Sequence, residues 1–236
     1  MRKLTAFIAV AALGTMVGTS VAGAGSSGDL KRFCKANLAI DTSRQGPSER
    51  QTERLRNTAP AEIAEAVDTA VTIFQEEGEG AFENEEFLAA IGEVDQFVLD
   101  NCDYEQVDVT MRDYAFDGIP DEIENGTVAF NLANEGAELH EFVVVRLKGD
   151  ATLDDLLALP EDASEDDFEE LAAEVPGGGF AEPGGSDLAL MKLNKTGNYA
   201  ALCFIPVGTT PESGDEGGSG PPHFTEGMAA EFEVTS

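Results

Sequence analysis

The first part of the chain carries apolar residues at the three- and four-residue spacing of amphipathic helices. This spacing recurs in three stretches, over residues 29–40, 61–76 and 84–101. Gly78 interrupts the pattern between the second stretch and the third. We therefore predict a small all-α unit of three or four helices over residues 29–103.

From residue 106 onward the pattern changes to short apolar runs in which hydrophobic and polar positions alternate. Six strands are predicted, over residues 107–111, 127–132, 140–147, 189–193, 199–205 and 230–234. Strands at this density, separated by turns rich in Gly and Pro, are typical of a β-sandwich or barrel. The chain is therefore predicted to be mainly β, with the helical unit preceding the sandwich.

The strand pattern is interrupted once by helical periodicity, over residues 151–174. The many carboxylates of this stretch are interpreted as the solvated face of a helical insertion. Two glycine runs, 177–179 and 184–185, are predicted to be loops, and neither has the Lys-Ser/Thr pair of a phosphate-binding loop. The low-complexity stretch 207–222 is also predicted to be a loop.

The N-terminus has the three-part layout of a secretory signal. Arg2 and Lys3 precede an apolar stretch, and small residues around Ala24 fit a cleavage site. We predict a signal peptide over residues 1–24 and an extracytoplasmic location, whether periplasmic, associated with the cell envelope or secreted. The predicted organisation is then a signal, a helical domain over 29–103 and a β-domain over 105–236.

Acidic residues dominate the charge of the chain, with 46 Asp and Glu against 14 Lys and Arg, for a formal net charge of −32. Nucleic acid is a poor partner for such a surface, because binding to phosphates requires basic groups. The charge favours basic docking partners. The alternative is adaptation to a saline or acidic medium, in which the acidic surface has no specific partner.

The three cysteines, Cys34, Cys102 and Cys203, leave one without a partner in any intramolecular disulfide pattern. Cys34 lies near the start of the helical unit and Cys102 at its end. We predict a disulfide between them, since export permits disulfides. The alternative is two separate buried thiols. Cys203 is the cysteine left over.

Four residues of the β-domain are of types that bind metal ions and occur in a recognisable order. His140 begins a predicted strand, Cys203 lies at the end of Gly-x-Tyr-x-x-x-Cys, and His223 precedes Met228 in His-x-x-x-x-Met. This order resembles the cupredoxin family, which includes plastocyanin, azurin and the blue-copper domain of nitrite reductase. The resemblance covers about residues 105–236 and leaves residues 29–103 unexplained.

The resemblance implies a Greek-key β-sandwich that holds one type 1 copper ion. His140, Cys203 and His223 would be the equatorial ligands and Met228 the axial one. A thiolate, two imidazoles and a weak thioether suit both Cu(I) and Cu(II). In the family the second histidine lies at an apolar end surface, which these residues would form here: Pro221, Pro222, Phe224, Gly227 and Ala229.

Two features differ from the usual family pattern. Residues 204–222 separate Cys203 from His223, a longer stretch than is common. Extra loop length costs little, about 0.6 kcal/mol per doubling. Glu141 follows the first histidine, where the family often has an Asn that supports the ligand loop.

The leading hypothesis is an exported electron-transfer protein that is not itself an enzyme and that exchanges electrons with protein redox partners. No further histidine remains for a second, catalytic copper centre. A second hypothesis is a protein that stores or delivers copper, and the long loop at 207–222 favours it. The third is a metal-free recognition module of the cell envelope, because fold does not dictate function.

Overall fold

The computed structural model describes residues 27–43, 46–160 and 165–236. The predicted signal peptide, residues 1–24, lies outside the described residues. After residue 104 the described chain forms mainly strands, with a few short helices. The strands are β1 (Glu105–Arg112), β2 (Ala115–Asp117), β3 (Glu122–Glu124), β4 (Gly126–Asn134), β5 (His140–Leu147), β6 (Ala172–Ala181), β7 (Ser186–Leu193), β8 (Gly197–Leu202) and β9 (Ala229–Thr235).

The strands form two sheets, in the orders β2-β1-β4-β7 and β3-β9-β8-β5-β6. Pairing is antiparallel except between β1 and β4 and between β3 and β9. The chain crosses repeatedly between the sheets, as in a Greek-key sandwich. Alternating side chains of both sheets, among them Phe130, Phe142 and Phe232, fill the space between them. The predicted β-sandwich with a helical insertion and a preceding helical unit is confirmed.

Four helices precede the sandwich. They are α1 (Ser27–Asp41), α2 (Glu49–Thr58), α3 (Ala64–Glu77) and α4 (Glu85–Asn101). The spacing of apolar residues did not predict helix α2, because this helix is strongly polar and buries only Thr52 and Leu55. Among the helices of the described residues, none has the length and apolar composition needed to cross a bilayer.

The helical segment packs on the outer face of the first sheet. Ala129 of β4 and Leu188 and Leu190 of β7 belong to the same apolar cluster as the helices. The predicted disulfide between Cys34 and Cys102 is present and ties the start of the segment to its end. The division of the chain into a helical domain over 29–103 and a β-domain over 105–236 stays a prediction, because the helices and the sheet share this cluster.

In the stretch that follows β5, the end of the helical insertion and the predicted glycine loop need correction. The helical insertion ends earlier than residue 174, as the two short helices α5 (Leu153–Leu157) and α6 (Glu165–Leu171). The glycines 177–179, predicted to be a loop, lie in β6 and pair with β5. The composition of β6 disfavours a strand, but pairing with β5 and the close packing of neighbours override it.

The glycines of β6 sit where a side chain does not fit. A Cβ on Gly179 would lie 2.5 Å from Leu132 Cδ1, and one on Gly178 would lie 2.9 Å from the carbonyl oxygen of Phe142. A smaller difference concerns β8, which ends at Leu202, so that Cys203 follows the strand. Strand ends of this kind commonly shift by a residue or two.

Replacing Gly178 with Ala is expected to lower the free energy of unfolding by about 1–3 kcal/mol, because backbone in the sheet must move to admit the methyl group. The midpoint of urea denaturation measures this. Gly126→Ala is the matched control, since no atom lies within 4 Å of its Cβ position. Equal midpoints for the two variants would contradict the close-packing explanation.

Candidate metal centre

The structure brings His140, Cys203 and His223 together at one end of the sandwich. One ligand atom from each lies within 4.8 Å of the other two, and no other such trio occurs in the described part of the chain. All three residues and Met228 are 0% exposed, and Met228 belongs to the same core cluster as Cys203. The structure therefore places all four sequence-predicted residues in one buried region.

Backbone hydrogen bonds align the segments that carry the last three residues. The amide of His223 donates to Ile205, that of Phe224 to Cys203, and that of Met228 to His223. An antiparallel bridge between Pro206 and Pro222 closes the base of the long loop. Cys203 and His223 are consequently neighbours despite their separation in sequence.

The histidine rings turn the same nitrogen inward. Nδ1 of His140 lies 3.2 Å from Nδ1 of His223, which lies 3.4 Å from Sγ of Cys203. Nε2 of His223 contacts Glu138 at 3.1 Å, and Nε2 of His140 contacts Asp113 at 3.2 Å. A carboxylate accepts a hydrogen bond from its imidazole partner, so the neutral tautomer consistent with these contacts carries hydrogen on Nε2.

In this tautomer both Nδ1 atoms carry a lone pair and no hydrogen, so two hydrogen-bond acceptors face each other across 3.2 Å. Two acceptors this close repel unless a cation lies between them. The two Nδ1 atoms are 3.2 Å apart, and Nδ1 of His223 is 3.4 Å from Sγ of Cys203. These separations also suit nitrogen and sulfur ligands that lie about 2.0–2.3 Å from a common ion. The donor set of two imidazoles and a thiol, with a thioether nearby, fits a single type 1 copper.

Glu138 and Asp113 form an outer layer of the site. Although burial alone would raise the pKa of Glu138, hydrogen bonds from Gly208, His223 and Tyr114 lower it. Burial would likewise raise the pKa of Asp113, but backbone amides and His140 lower it. Both groups are thus carboxylates that hold the imidazoles in place. Burial, together with His223, lowers the pKa of His140, which favours the neutral form that binds metals.

The loop before β5 is shaped to allow these contacts. The Asn134 side chain donates to the carbonyls of Glu138 and Ala181 and accepts from the amide of Gly136. A Cβ on Gly136 would lie 2.5 Å from Nε2 of His140. Glycine at this position therefore leaves room for the contact between His140 and Asp113.

Cys203 is buried as a thiol in the metal-free chain, because burial raises its pKa to about 11. Metal binding would displace the proton, since the thiolate is the ligand form. The amide of Glu141 donates to Sγ at 3.5 Å, and the Glu141 carboxylate accepts from the amide of Phe204 at 2.8 Å. Glu141 thus ties β5 to the segment after Cys203.

Tyr114 covers the outer side of His223. Its ring lies edge-on to the imidazole with centroids 5.2 Å apart, and its hydroxyl donates to Glu138 at 3.0 Å. Tyr114 has φ of 67°, the only positive value among the non-glycine residues described. A bulky residue in this conformation costs on the order of 1–3 kcal/mol. The cost is consistent with a role for the side chain at the site.

Asp113, Tyr114 and Glu138 were not predicted from the sequence as residues of the site. Their signals were weak, namely a two-residue hairpin turn between β1 and β2 and an acidic residue two positions before His140. Of the residues predicted to form an apolar end surface, Pro221 and Gly227 are exposed. The other three, Pro222, Phe224 and Ala229, are partly buried.

Replacing Glu138 with Gln is expected to weaken copper binding by roughly tenfold, because the neutral amide holds the His223 imidazole less firmly. Competition with a Cu(I) chelator measures the change. Glu226→Gln is the control, since Glu226 is an exposed residue of the 3-10 helix His223–Glu226. The role of Glu138 would be rejected if both variants bound copper as tightly as the parent.

Comparisons with known proteins give structural similarity without sequence similarity. No family model matches the chain, and no curated protein sequence matches it. Among solved structures, reduced auracyanin from Roseiflexus castenholzii is 20% identical, with 56% of this chain and 97% of that chain covered and a TM-score of 0.35. Auracyanin A from Chloroflexus aurantiacus, a blue copper protein, is 17% identical, with 55% and 99% covered and a TM-score of 0.33.

Rusticyanin from Thiobacillus ferrooxidans is 15% identical, with 56% of this chain and 78% of that chain covered and a TM-score of 0.33. A multicopper oxidase is 11% identical, and the match covers 44% of its chain with a TM-score of 0.31. Similarity at this level concerns part of the chain.

Proposed function

We propose that this chain is an exported type 1 copper protein that transfers single electrons between redox partners. His140, Cys203, His223 and Met228 would hold the ion, which supplies a one-electron couple between Cu(I) and Cu(II). The observation that supports this proposal most directly is the buried cluster in which two imidazole nitrogens and a thiol lie within 4.8 Å of one another.

The burial of the site supports electron transfer rather than catalysis on a bound substrate. All four proposed ligands are 0% exposed, and the ring of Tyr114 packs against His223. An electron can tunnel to a buried ion, whereas a substrate would need an open position beside the metal. We therefore propose a carrier and not an enzyme.

The surroundings of the ligands favour little rearrangement between oxidation states. Glu138 and Asp113 hold the two imidazoles from outside, and the amide of Glu141 donates to the sulfur. Ligands locked by such outer contacts keep their positions. Fixed ligands in a geometry acceptable to both oxidation states lower the cost of each electron transfer.

Copper storage or delivery is the second candidate, because the long loop after Cys203 could open. The loop is closed at its base, however, and the amide of Leu139 donates to Thr209 within it. The two functions differ in metal retention. Repeated reduction by ascorbate and oxidation by hexacyanoferrate, with a Cu(I) chelator present, is expected to leave the metal bound. Loss of copper to the chelator in each reduced phase would favour delivery.

A metal-free recognition module is the third candidate. Purified protein expressed with copper is expected to contain one equivalent of copper. Protein that neither carries copper nor takes it up would overturn the proposed function. An extracytoplasmic location and basic redox partners, suggested by the N-terminal sequence and the net charge of −32, belong to the same proposal.

Replacing Met228 with Leu is expected to raise the reduction potential by on the order of 60 mV, which corresponds to a tenfold change in the relative affinity for Cu(II) and Cu(I). The reason is that Cu(II), with its higher charge, loses more from the removal of a lone-pair donor. Protein-film voltammetry measures the potential. Met111→Leu is the control, since Met111 is equally buried in the same core cluster. Equal potentials in both variants would exclude an axial role for Met228.

A further inference from the structure

A partly open cavity of about 290 Å³ lies between the helices and strand β7. Most of its wall is apolar, and the buried part of the wall includes Leu55, Val67, Val71 and Val94. A water molecule occupies about 30 Å³ of liquid, so the cavity could hold a ligand of about ten non-hydrogen atoms. Concave apolar sites with a few polar groups are the common form of small-molecule sites.

Asn37 supplies a polar group that lacks a partner. It is 5% exposed and lines the cavity, and no hydrogen bond joins its side chain to another described residue. The Asn37 amide atoms are not sealed from solvent, so they are accessible from the cavity. A ligand with hydrogen-bonding groups in the cavity can pair with them.

Three carboxylates also line the cavity, namely Asp41, Asp95 and Asp187. Burial and then the charges of Asp41 and Asp187 raise the pKa of Asp95 to about 8. Although Asp41 exposes part of its surface, desolvation of its carboxyl, followed by Asp187, raises its pKa to about 7. Asp187 accepts hydrogen bonds from Phe180 and Leu188. Asp95 has no hydrogen-bond or ion-pair partner among the residues described.

The spacing of these carboxylates indicates the kind of cation that suits them. Their oxygens are not all within 4.8 Å of one another, because the only trio that meets this limit in the described residues is the histidine and cysteine cluster. A bare metal ion would need closer ligands. An ammonium group has three donors and can reach acceptors that lie farther apart.

The cavity has a route to the surface. A groove of about 490 Å³ between α4 and the sandwich shares Phe87, Asp95 and Asp187 with the cavity wall. Phe82, Leu88 and Phe180 line this groove and are 61%, 49% and 47% exposed. Apolar side chains thus extend from solvent to the acidic rim of the cavity.

We propose that the helical segment binds a small apolar molecule that carries one primary ammonium group. The apolar part fills the cavity between Val67, Val71 and Val94. The ammonium group donates to the Asp95 carboxylate and to the side-chain oxygen of Asn37. This assigns a ligand site to the part of the chain that takes no part in the proposed copper chemistry.

Titration of the full chain with octylamine at pH 9 tests the proposal. At this pH Asp95 and Asp41 are ionised, and a primary amine with a pKa near that of lysine, about 10.4, stays protonated. Calorimetry is expected to show one site, and NMR is expected to show shifts of the Val67, Val71 and Val94 methyl groups. Octan-1-ol is expected to bind at least about tenfold more weakly, because it lacks the charge.

Three variants make the test specific. Asp95→Asn is expected to weaken octylamine binding by about tenfold and to leave octan-1-ol binding unchanged. Glu93→Gln, an exposed carboxylate of the same helix, is expected to change neither. Asn37→Leu is expected to weaken octylamine binding without lowering the thermal midpoint, because it removes an unpaired amide.

The proposal would be overturned by any of three results. Equal affinities for octylamine and octan-1-ol would mean that the cavity selects only for apolar surface. Equal octylamine affinities of Asp95→Asn and Glu93→Gln would remove the role of Asp95. Methyl shifts confined to residues outside the cavity would place the ligand elsewhere.

Discussion

Replacing Cys203 with Ser is expected to abolish the intense visible absorption band of the copper-loaded protein. This band arises from charge transfer between a thiolate and Cu(II), and Cys203 supplies the only free thiol in the described structure. A hydroxyl is a harder and weaker ligand for Cu(I). Affinity for Cu(I) is therefore expected to fall by more than the roughly 10–100-fold that loss of an outer partner costs. Visible absorption and chelator competition measure the two effects.

Met111→Leu serves as the control for loss of a buried sulfur from the same core, and it should retain the band. Circular dichroism of Cys203→Ser should match that of the parent, because serine is nearly the same size as cysteine. A variant that kept an intense band would show that copper binds elsewhere. A parent protein that binds copper without the band would exclude a thiolate ligand and with it the type 1 site.

Replacing Cys34 and Cys102 together with Ala is expected to lower the free energy of unfolding by about 4 kcal/mol. The disulfide closes a loop with a sequence separation of 68, which the chain-entropy model converts to this value. With a urea slope of about 2–3 kcal/mol per molar, the denaturation midpoint should fall by about 1–2 M. Equilibrium unfolding followed by circular dichroism measures it.

The copper band provides an internal control for this double variant. Cys203 is free and buried in the sandwich, so the band should persist in the folded variant below its new midpoint. The contact from the Tyr104 hydroxyl to the carbonyl of Cys34 remains available to hold α1 in place. If the urea midpoint fell by less than about 0.3 M, packing of the helices on β7 would stabilise the segment more than the disulfide does.

The class of fold and the candidate metal ligands could be predicted from the sequence alone. Alternating apolar positions predicted the strands that bear the core, and the four-residue pattern of His140, Cys203, His223 and Met228 carried the copper hypothesis. The odd number of cysteines required one unpaired thiol, and the positions of Cys34 and Cys102 at the two ends of the helical unit predicted their disulfide. These inferences succeed because periodicity and the chemistry of individual residues are local properties of a chain.

Features that depend on neighbours distant in sequence could not be predicted and became visible in the three-dimensional structure. Strand β6 forms from a glycine run because β5 pairs with it and leaves no room for side chains. Helix α2, which has little apolar periodicity, is held by packing of the segment as a whole.

The outer layer of the metal site was decided in the same way. Asp113, Glu138 and Tyr114 are ordinary residues in sequence and acquire a role only when three loops meet at one end of the sandwich. The cavity of the helical segment arises similarly, where Asn37 and Asp95 from different helices face β7. A side chain's partners, and hence its protonation and function, follow from contacts that no local pattern encodes.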